Sequence, residues 1–553
     1  MASQIVSLVA LLPIIYVLVI SSLLPSQALA YIPQFSKTNN NDLTVNAFVQ
    51  CLEQHSNPSD YPISEVIYTP NNSSFEDILN TRANNLRYRQ PTTRKPLLIV
   101  VPRTELNVAT IVTCARTNGV KIKTRSGGHD YEGISFTAPF PFILLDMFKL
   151  NNVKVDIKKE TAWVQSGATL GQIYYRIAEK SPVHAFPAGV CPSVGAGGHF
   201  SGGGYGALIR KYGLSVDNIV DARVVDANGR ILDRKAMGED FFWAICGGGG
   251  SSFGVILAWK LQLVRVPSKV TVFRVTKDVA SPGVNHILYK WQKIAHKLPK
   301  ELIIRIESNV SPTPEGNITI TADFLTLFLG RKQKLLHILS NSFPELGITP
   351  EDCKEMSWIE SAMFWHRIPE GTPREILLNY DIIYPAYRKI KGDFIKKPIP
   401  ESALPKLWEK IMQTGEVYME WTPYGGRMDE IEESATPFAH RKDNLFMIFY
   451  DLLWIEDNMD EVYLNKAREL YDFMAHFASD SPREGVLNYV DLDIGTSWEK
   501  YFKGNFPKLV LVKTKVDPTD FFSHEQSIPT LFKLLENREF RKGGFNSLLH
   551  LPM

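Results

Sequence analysis

The chain has 553 residues, of which 44% are hydrophobic and 22% are charged, so it is long enough for roughly two to four structural units with large cores. Its 61 Lys and Arg residues nearly balance its 59 Asp and Glu residues, which leaves a formal net charge of +2. This balance, with no long run of one sign, excludes a protein that binds nucleic acid or anionic lipid through a broad charged surface.

The first segment, residues 1–30, is typical of a secretory signal peptide. Residues 5–24 are apolar apart from a few serines, and the small residues Ala28 and Ala30 follow them. We therefore expect cleavage after Ala30 and entry into the secretory pathway, with the vacuole, the apoplast and an ER-derived vesicle as alternative destinations. The apolar run is long enough to cross a bilayer and no Lys or Arg precedes it, so an uncleaved anchor is the alternative. After cleavage, no other segment predicts a stable membrane span.

The sequons fit a lumenal protein, whereas the number of cysteines is unusual for an oxidising compartment. Asn-x-Ser/Thr sequons predict N-linked glycosylation at Asn71, Asn72, Asn309 and Asn317. The five cysteines are an odd number, so at least one lacks a disulfide partner within the chain. These cysteines are Cys51, Cys114, Cys191, Cys246 and Cys353.

The predicted elements change character along the chain. Residues 46–270 alternate short apolar runs, such as 97–101 and 142–145, with amphipathic stretches, which favours a mixed α/β unit. Residues 271–480 contain longer alternating runs and helical patterns, which predict an α+β unit on an antiparallel sheet. Residues 481–529 are expected to rejoin the first unit, with short strands and a turn at Asp517-Pro518 within residues 487–529, and residues 530–553 form a tail. The expected strands of the central part are 270–275, 302–308 and 317–328, and its expected helices are 333–339 and 460–477.

Three glycine clusters lie in the first unit, at residues 125–133, 195–206 and 247–254. Glycines allow close backbone approach, so their N–H groups can converge on an anion such as a pyrophosphate. Three clusters in one unit therefore predict a large phosphorylated cofactor. The candidate cofactor-binding residues are Arg125, Ser126, Gly127, Gly128, His129, Cys191, Gly195, Gly197, Gly198, His199, Ser201, Gly202 and Tyr205.

Other interpretations of these clusters fit less well. Residues 202–207 match a dinucleotide-binding fingerprint, but no apolar strand leads into them. A zinc site needs further Cys or His ligands, and only His199 is near Cys191, so no metal is predicted. A cysteine-protease interpretation lacks any local signature.

The sequence resembles a family in several strings of residues: 125–133, 191–206, 423–426, 488–493, 500–502 and 516–518. Over residues 46–529 the chain is similar to plant berberine bridge enzyme-like flavoproteins. The resemblance implies an α+β fold of the vanillyl-alcohol oxidase type. Its two-part FAD-binding domain would comprise residues 46–270 and 481–529, and the inserted α+β substrate domain, on an antiparallel sheet, residues 271–480.

The resemblance also implies that FAD is attached through two covalent bonds, from the His129 imidazole to the 8α carbon and from the Cys191 sulfur to C6 of the flavin. It implies a disulfide between Cys51 and Cys114. Cys246 and Cys353 are then left as buried thiols. Cys246 departs from the family pattern, because relatives more often carry Arg before these glycines, so a cation near the cofactor is expected to be missing.

The resemblance places Tyr131 and Tyr205 toward the substrate. Period-two alternation in the predicted strand 417–423 puts Tyr418, Glu420 and Thr422 on one face, and the family presents this strand to the flavin. Glu420 is the first candidate for general base, because burial raises a carboxyl pKa toward the working pH. Tyr489 is the alternative base.

Val194 occupies the family position that controls dioxygen access, and its small side chain favours an oxidase. The expected partners are a small-molecule substrate and O₂. The leading hypothesis is an FAD-dependent oxidase of a plant specialised metabolite, such as an alkaloid or a prenylated phenol, with hydrogen peroxide as by-product and oxidative cyclisation as a possible outcome. The alternatives are a carbohydrate or monolignol oxidase or dehydrogenase, a cyclase without net redox change, and a binding protein with a vestigial flavin.

Overall fold

The computed structural model describes residues 40–55, 62, 65–312, 316–380 and 385–536. The chain divides into two compact units, residues 1–46 and residues 47–553. The described part of the first unit is the beginning of one helix. The predicted signal peptide and residues 537–553 of the predicted tail lie outside the described residues.

The helices vary from one turn to four turns in length. In chain order they are α1 Asn40–His55, α2 Phe75–Thr81, α3 Glu105–Thr117, α4 Leu170–Lys180, α5 Ala196–Ser201, α6 Ile209–Tyr212, α7 Arg234–Met237, α8 Glu239–Ile245, α9 Val284–Ile294, α10 Lys332–Ser342, α11 Trp358–Trp365, α12 Leu404–Thr414, α13 Arg427–Glu430, α14 Asp460–Met474, α15 Glu499–Phe502, α16 Phe506–Val516 and α17 Leu531–Glu536.

The strands within the described residues form four sheets. In chain order they are β1 Ile67–Tyr68, β2 Leu98–Val100, β3 Lys121–Arg125, β4 Phe142–Asp146, β5 Val153–Asp156, β6 Thr161–Gln165, β7 His184–Ala185, β8 Ile219–Val225, β9 Ile231–Leu232, β10 Val255–Gln262, β11 Val264–Arg265, β12 Val270–Asp278, β13 Leu302–Pro312, β14 Ile318–Phe328, β15 Lys354–Met356, β16 Tyr387–Ile395, β17 Val417–Pro423 and β18 Phe446–Trp454.

The first sheet has the order β1-β2-β4-β3, with parallel pairing of β4 to both β2 and β3. Parallel neighbours need a crossover, which α3 provides after β2. Thr104 caps α3 by accepting from the Asn107 amide at 3.1 Å, within a reciprocal capping box. All of β4 is buried, as its continuous apolar run predicts. The first glycine cluster begins where β3 ends.

The second sheet has the order β5-β6-β10-β8-β9 and is antiparallel throughout, and β7 pairs separately with β11. Helix α5 begins inside the second glycine cluster, after Gly195. The third cluster passes through a 3₁₀ turn at Gly250–Ser252 and leads into β10. The second and third glycine clusters therefore lie at the ends of elements that belong to this sheet or pack on it.

The third sheet has the order β15-β12-β14-β13-β17-β18-β16, and every neighbouring pair is antiparallel. This confirms the antiparallel sheet predicted for the central part of the chain. Strand β17 has the bounds predicted from its alternation. Its register places Glu420 between Glu307 of β13 and Phe449 of β18.

The prediction of short strands after residue 487 is wrong. The segment instead contains 3₁₀ turns and helices, of which α16 is the longest in residues 487–529. Within α16, Phe506, Leu509, Val510 and Lys513 are buried at helical spacing, which places one face of a helix against the core. The apolar residues of α16 share a core with residues of β6, β8 and β10 in the second sheet, so the segment does return to the first part of the chain.

A disulfide joins Cys51 of α1 to Cys114 of α3, as the resemblance implies, and Cys246 and Cys353 are buried free thiols. Among the predicted glycosylation sites, Asn71, Asn72 and Asn317 are exposed and Asn309 is half-buried on β13. No helix in the described ranges is long and apolar enough to cross a membrane.

Candidate active site

One cavity of about 420 Å³ brings the three glycine clusters together with β17 and with residues 487–490. It contains most of the predicted site residues although they are far apart in sequence. The predicted residues that line it are Ser126, Gly127, Gly128, His129, Tyr131, Cys191, Val194, Gly195, Gly197, Gly198, His199, Ser201, Gly202, Tyr205, Glu420 and Tyr489.

The first two glycine clusters meet through their backbones. A Cβ atom on Gly127 would lie 2.3 Å from the Gly195 nitrogen, and one on Gly128, whose φ is +68°, would lie 1.8 Å from the Arg82 carbonyl oxygen. Only glycine fits both positions. This contact sets the loop that carries His129 beside the loop that carries Cys191.

Ser193 lies between these two side chains, and the sequence analysis did not single it out. Its hydroxyl oxygen is 3.2 Å from His129 Nε2 and 3.5 Å from Cys191 Sγ. Burial lowers the pKa of His129 to about 3, so the imidazole is neutral and keeps a nucleophilic lone pair. Burial raises the pKa of the Cys191 thiol, and hydrogen bonds from Ser193 oppose this effect. Two nucleophiles beside one hydroxyl fit a group that is attached at both points.

The other end of the cavity contains residues that the sequence analysis missed. Lys123 of β3 and His524 both line it, next to Ser251 of the third glycine cluster. Lys123 is buried with its Nζ 3.1 Å from Glu525 Oε2, and burial lowers its pKa. A glycine-lined cavity with a cation, hydroxyls and backbone amides has the donors that a dinucleotide requires. No motif marks Lys123, because it is one residue of an ordinary strand.

Arg125 and Cys246 lie outside this cavity. The Arg125 guanidinium points into the protein, where its Nη2 is 2.6 Å from Asp146 Oδ2 and its Nη1 donates to the Leu79 carbonyl at 2.6 Å. Arg125 thus fixes the end of β3, from which the first glycine loop begins. Cys246 packs in the core and is not among the lining residues.

Glu420 is 6% exposed and has several polar contacts. Arg305 Nη1 of β13 donates to Glu420 Oε2 at 2.7 Å, and the Thr422 hydroxyl donates to Oε1 at 2.8 Å. Burial raises the pKa of Glu420, and the Arg305 charge opposes this shift. Tyr418, on the same face, has its hydroxyl 3.5 Å from Glu420 Oε2. Tyr418 and Thr422 contact this carboxylate but do not line the cavity.

The tyrosines form a chain that ends at this carboxylate. The Tyr205 hydroxyl is 3.1 Å from Glu420 Oε1 and also hydrogen-bonds to the Tyr489 hydroxyl. Burial, with the nearby Glu420 charge, raises the pKa of both phenols well above the usual value. The ring of Tyr131 packs edge-on against that of Tyr489, with centroids 5.8 Å apart. The two candidate bases are therefore connected by hydrogen bonds through Tyr205.

Arg305 and Phe449 complete this part of the site, and the sequence analysis named neither. Both line the cavity, and the Phe449 ring centroid lies 4.8 Å from that of Tyr489. Strand β13 alternates as β17 does, whereas β18 is a nearly continuous apolar run, and neither pattern indicates which strands are neighbours. The order of the strands alone brings Arg305 and Phe449 beside Glu420.

Comparison with known proteins identifies the family. The profile described as FAD binding domain matches residues 96–234, and the profile described as berberine and berberine like matches residues 487–529. Berberine bridge enzyme-like 10 of Arabidopsis thaliana is 48% identical over 498 residues, which cover 87% of this chain and 94% of that protein. The chain belongs to the berberine bridge enzyme-like family. It is an FAD-dependent oxidoreductase with the fold predicted from its sequence.

Other members of the berberine bridge enzyme-like family differ in their described activities. Monolignol oxidoreductase AtBBE-like 13 of Arabidopsis thaliana is 46% identical over 519 residues, covering 91% of this chain and 96% of that protein. The solved structure of BBE-like #28 from Arabidopsis thaliana is 42% identical with a TM-score of 0.82, covering 88% of this chain and all of that one. Phl p 4, a grass pollen allergen with glucose dehydrogenase activity, is 40% identical with a TM-score of 0.81, covering 88% and 99% of the two chains.

Proposed function

We propose that this protein is an FAD-dependent oxidase that removes a hydride from a planar plant specialised metabolite, such as a phenolic or alkaloid compound. The observation that carries the proposal is the hydrogen-bonded series Tyr489, Tyr205, Glu420 in the same cavity as His129 and Cys191. Such a series gives the substrate proton a defined acceptor. When bound, FAD supplies the hydride acceptor and is reoxidised by dioxygen to give hydrogen peroxide.

We further propose that His129 and Cys191 both bond covalently to the cofactor. The neutral His129 imidazole supplies one nucleophile. Cys191 supplies the other, and the Ser193 hydroxyl at 3.5 Å can stabilise its thiolate during attachment. His129 and Cys191 would hold the cofactor at two points, and correct placement of reacting groups lowers the barrier to transfer.

Substrate deprotonation uses the three residues together. The substrate hydroxyl or amine proton moves to the Tyr489 oxygen as the Tyr489 proton moves to Tyr205 and the Tyr205 proton moves to Glu420 Oε1. Neither phenol then has to exist as a free tyrosinate, which their raised pKa values make costly. Glu420 is the final proton acceptor, and Tyr489 is the residue that touches the substrate.

Arg305 keeps Glu420 able to accept that proton. Its guanidinium, 2.7 Å from Glu420 Oε2, stabilises the carboxylate against the cost of burial. The Arg305 charge also offsets the charge of Glu420, so a positively charged amine would gain little binding free energy from this carboxylate. Aromatic walls formed by Tyr131, Phe449 and Tyr489 instead favour a planar substrate.

We assign the reoxidation by dioxygen to the side of the cavity that contains Val194. Among the similar solved structures, wild-type Phl p 4 is described as a glucose dehydrogenase and an isoleucine-to-valine variant of it as a glucose oxidase. A single aliphatic side chain is therefore associated with the difference between the two activities. Valine at position 194 supports an oxidase.

The chain organisation remains our proposal too. Residues 46–270 and 481–529 would form the FAD-binding domain around the substrate domain at 271–480. The signal peptide at residues 1–30 would direct the protein to the secretory pathway, where the exposed Asn71, Asn72 and Asn317 would carry glycans. The half-buried Asn309, on a paired strand, is the least accessible of the sequons.

The test measures both the covalent attachment of the flavin and its reduction by a substrate. Acid precipitation should leave the yellow chromophore on the polypeptide, and a tryptic digest should contain one flavin joined to both the His129 and Cys191 peptides. Under anaerobic conditions, a panel of phenols, alkaloids, cinnamyl alcohols and sugars should include a compound that bleaches the flavin, with peroxide formed when air is admitted. A colourless pellet contradicts the double tether. A flavin that no compound bleaches contradicts the oxidase assignment.

A further inference from the structure

Three carboxylates form a row across the third sheet, on the face that contains the candidate base. Glu307 of β13 is paired in register with Glu420 of β17 on one side and with Asp323 of β14 on the other. Side chains of directly paired residues point to the same face, with Cβ atoms about 4.5–5.5 Å apart. All three side chains are almost fully buried. Like charges directly opposite each other are destabilising, so this row needs cations beside it.

Arg305 and Arg367 contact different members of the row. Arg305 Nη1 is 2.7 Å from Glu420 Oε2. Arg367 Nη2 is 2.7 Å from Glu307 Oε2 and 2.7 Å from Asp323 Oδ2. The Arg367 guanidinium therefore bridges Glu307 and Asp323, and its ion pair lies one strand away from the candidate base.

The position of Arg367 is set by the loop that follows α11. Its amide donates to the Phe364 carbonyl at 3.1 Å, and its φ of +59° lies in the left-handed region that residues other than glycine rarely adopt. Residues held in this region cluster at functional sites, where the surrounding contacts outweigh the strain. The ion pairs to Glu307 and Asp323 are such contacts. The Arg367 side chain is 46% exposed, so it reaches the buried carboxylates from the solvent side.

The charge of Glu307 acts on the proton affinity of Glu420. Burial raises the pKa of Glu420, the Arg305 charge lowers it, and the Glu307 charge raises it. Arg367 offsets this last effect because it pairs with Glu307. Burial lowers the pKa of Arg367, but the contacts to Glu307 and Asp323 raise it overall, so the guanidinium is charged.

Other polar groups face Glu420 or the row from the neighbouring elements, and a change at Arg367 leaves them in place. Strand β18 places the uncharged Phe449 opposite Glu420. The polar groups are Arg305 of β13, Tyr418 and Thr422 of β17, Tyr205 of the second glycine cluster, Tyr489, and Arg274 and Thr276 of β12.

We propose that Arg367 is an electrostatic positioning residue, which acts through Glu307 to set the pH at which Glu420 becomes able to accept the substrate proton. Within the described ranges Arg367 does not line the cavity, so its effect on the reaction passes through the row of carboxylates. With Arg367 in place, Glu420 remains a carboxylate at lower pH than it would beside an unpaired Glu307. The role in catalysis rests on the proposed function, in which Glu420 is the final proton acceptor.

The ionisation of Glu420 can be measured directly in the flavin-loaded protein. Infrared difference spectra between pH values contain the bands of protonated carboxyl groups, and the band that Glu420→Gln removes belongs to Glu420. Arg367→Met should raise the midpoint of this band by roughly one pH unit, and Glu307→Gln should lower it by a similar amount. This is the lower end of the shift of about 1–3 units that a charge within about 4–6 Å causes. The variant with both changes should return close to the wild-type midpoint.

The two opposite shifts separate an electrostatic role from a structural one. Loss of local structure would move the midpoint in the same direction in both single variants. The acidic limb of the pH profile of anaerobic flavin reduction should follow the infrared midpoint in each variant.

Two further variants serve as controls. Arg331→Met removes an exposed arginine whose Nε is 2.9 Å from Glu355 Oε1, and it should leave the midpoint unchanged. Arg367→Lys retains the charge and should stay nearer the wild-type midpoint than Arg367→Met. If Arg367→Met fails to load flavin, the direction of the shift in Glu307→Gln decides the matter.

The outcomes distinguish this role from the proposed function. Equal midpoints in the wild-type protein and Glu307→Gln, shifts of both single variants in one direction, or the absence of a band that Glu420→Gln removes overturns the role of Arg367. The expected shifts in a protein whose flavin no compound bleaches reject the oxidase function but leave the electrostatic role intact.

Discussion

Replacing Arg305 by methionine should damage the site by leaving Glu420 as an unpaired buried carboxylate. The Arg305 Nη1 to Glu420 Oε2 distance is 2.7 Å, and both side chains are almost fully buried. At an effective dielectric constant near 20, Coulomb's law gives about 6 kcal/mol for this separation. Measured losses for breaking one side of a buried pair are about 3–5 kcal/mol, because the structure relaxes and water enters. We expect a loss of stability in that range for Arg305→Met.

The activity should change in a direction set by the same charge. Burial already raises the pKa of Glu420, and Arg305 opposes the shift, so its removal raises that pKa further. The acidic limb of the kcat/KM profile should move to higher pH, and activity at neutral pH should fall and recover as the pH increases. The loss of stability in Arg305→Met should depend on the ionisation of Glu420. It is fully present above the raised folded-state pKa and disappears below the unfolded-state pKa, where Glu420 is protonated in both states.

A double-mutant cycle provides the assay. Thermal unfolding of Arg305→Met, Glu420→Gln and the double variant is compared at neutral and acidic pH, together with the pH profile of anaerobic flavin reduction. Arg305→Met should be the least stable of the three at neutral pH, and Glu420→Gln in the same chain should restore part of the loss. Arg305→Lys should keep the wild-type profile more nearly than methionine does. An acidic limb that does not move, or a double variant no more stable than Arg305→Met, would show that Arg305 does not stabilise the Glu420 carboxylate.

Three further predictions concern other parts of the molecule. Cys51→Ala with Cys114→Ala opens a loop with a sequence separation of 63 residues and should lower the free energy of unfolding by about 4 kcal/mol; equal denaturant midpoints for the variant and the oxidised protein contradict this. Val194→Ile should slow flavin reoxidation by dioxygen about tenfold, which corresponds to roughly 1.4 kcal/mol in activation free energy, and should leave the anaerobic reduction rate unchanged. An unaltered reoxidation rate in stopped-flow measurements rejects the role of Val194 in oxygen access. Asp217 accepts two hydrogen bonds of 2.8 Å from Arg441. Arg441→Leu removes this partner and should lower the free energy of chemical unfolding by about 3–5 kcal/mol. A loss below about 1 kcal/mol would mean that water replaces the guanidinium.

The connection of Tyr489 to Glu420 changes how the two candidate bases are understood. As separate residues they are rivals, because either can take a proton from the substrate. Joined by the Tyr205 hydroxyl, they occupy the two ends of one hydrogen-bonded series. Substitution of either end is then expected to affect the same step, so single variants alone do not distinguish them. A displaced acidic limb of the pH profile identifies Glu420, because burial raises the pKa of this carboxyl from an acidic value and raises the pKa values of the two phenols well above their usual value.

The sequence by itself determined the features that depend on local pattern. The alternation in residues 417–423 fixed both the bounds of β17 and the face shared by Tyr418, Glu420 and Thr422, since side chains alternate along any strand. The glycine clusters predicted a cofactor site, because close backbone approach requires glycine wherever it occurs. The expectation of short strands after residue 487 failed at α16, where burial against a distant core follows helical spacing.

Only the tertiary structure decided which distant residues meet. Ser193 between His129 and Cys191, Arg305 on Glu420, and Arg367 on Glu307 all depend on loop contacts or on the order and register of strands. Strand order is set by non-local pairing, and a shift of one residue would turn every side chain to the opposite face. The composition of each strand does not contain that information. The partners of a residue in this site are therefore determined by the sheet as a whole.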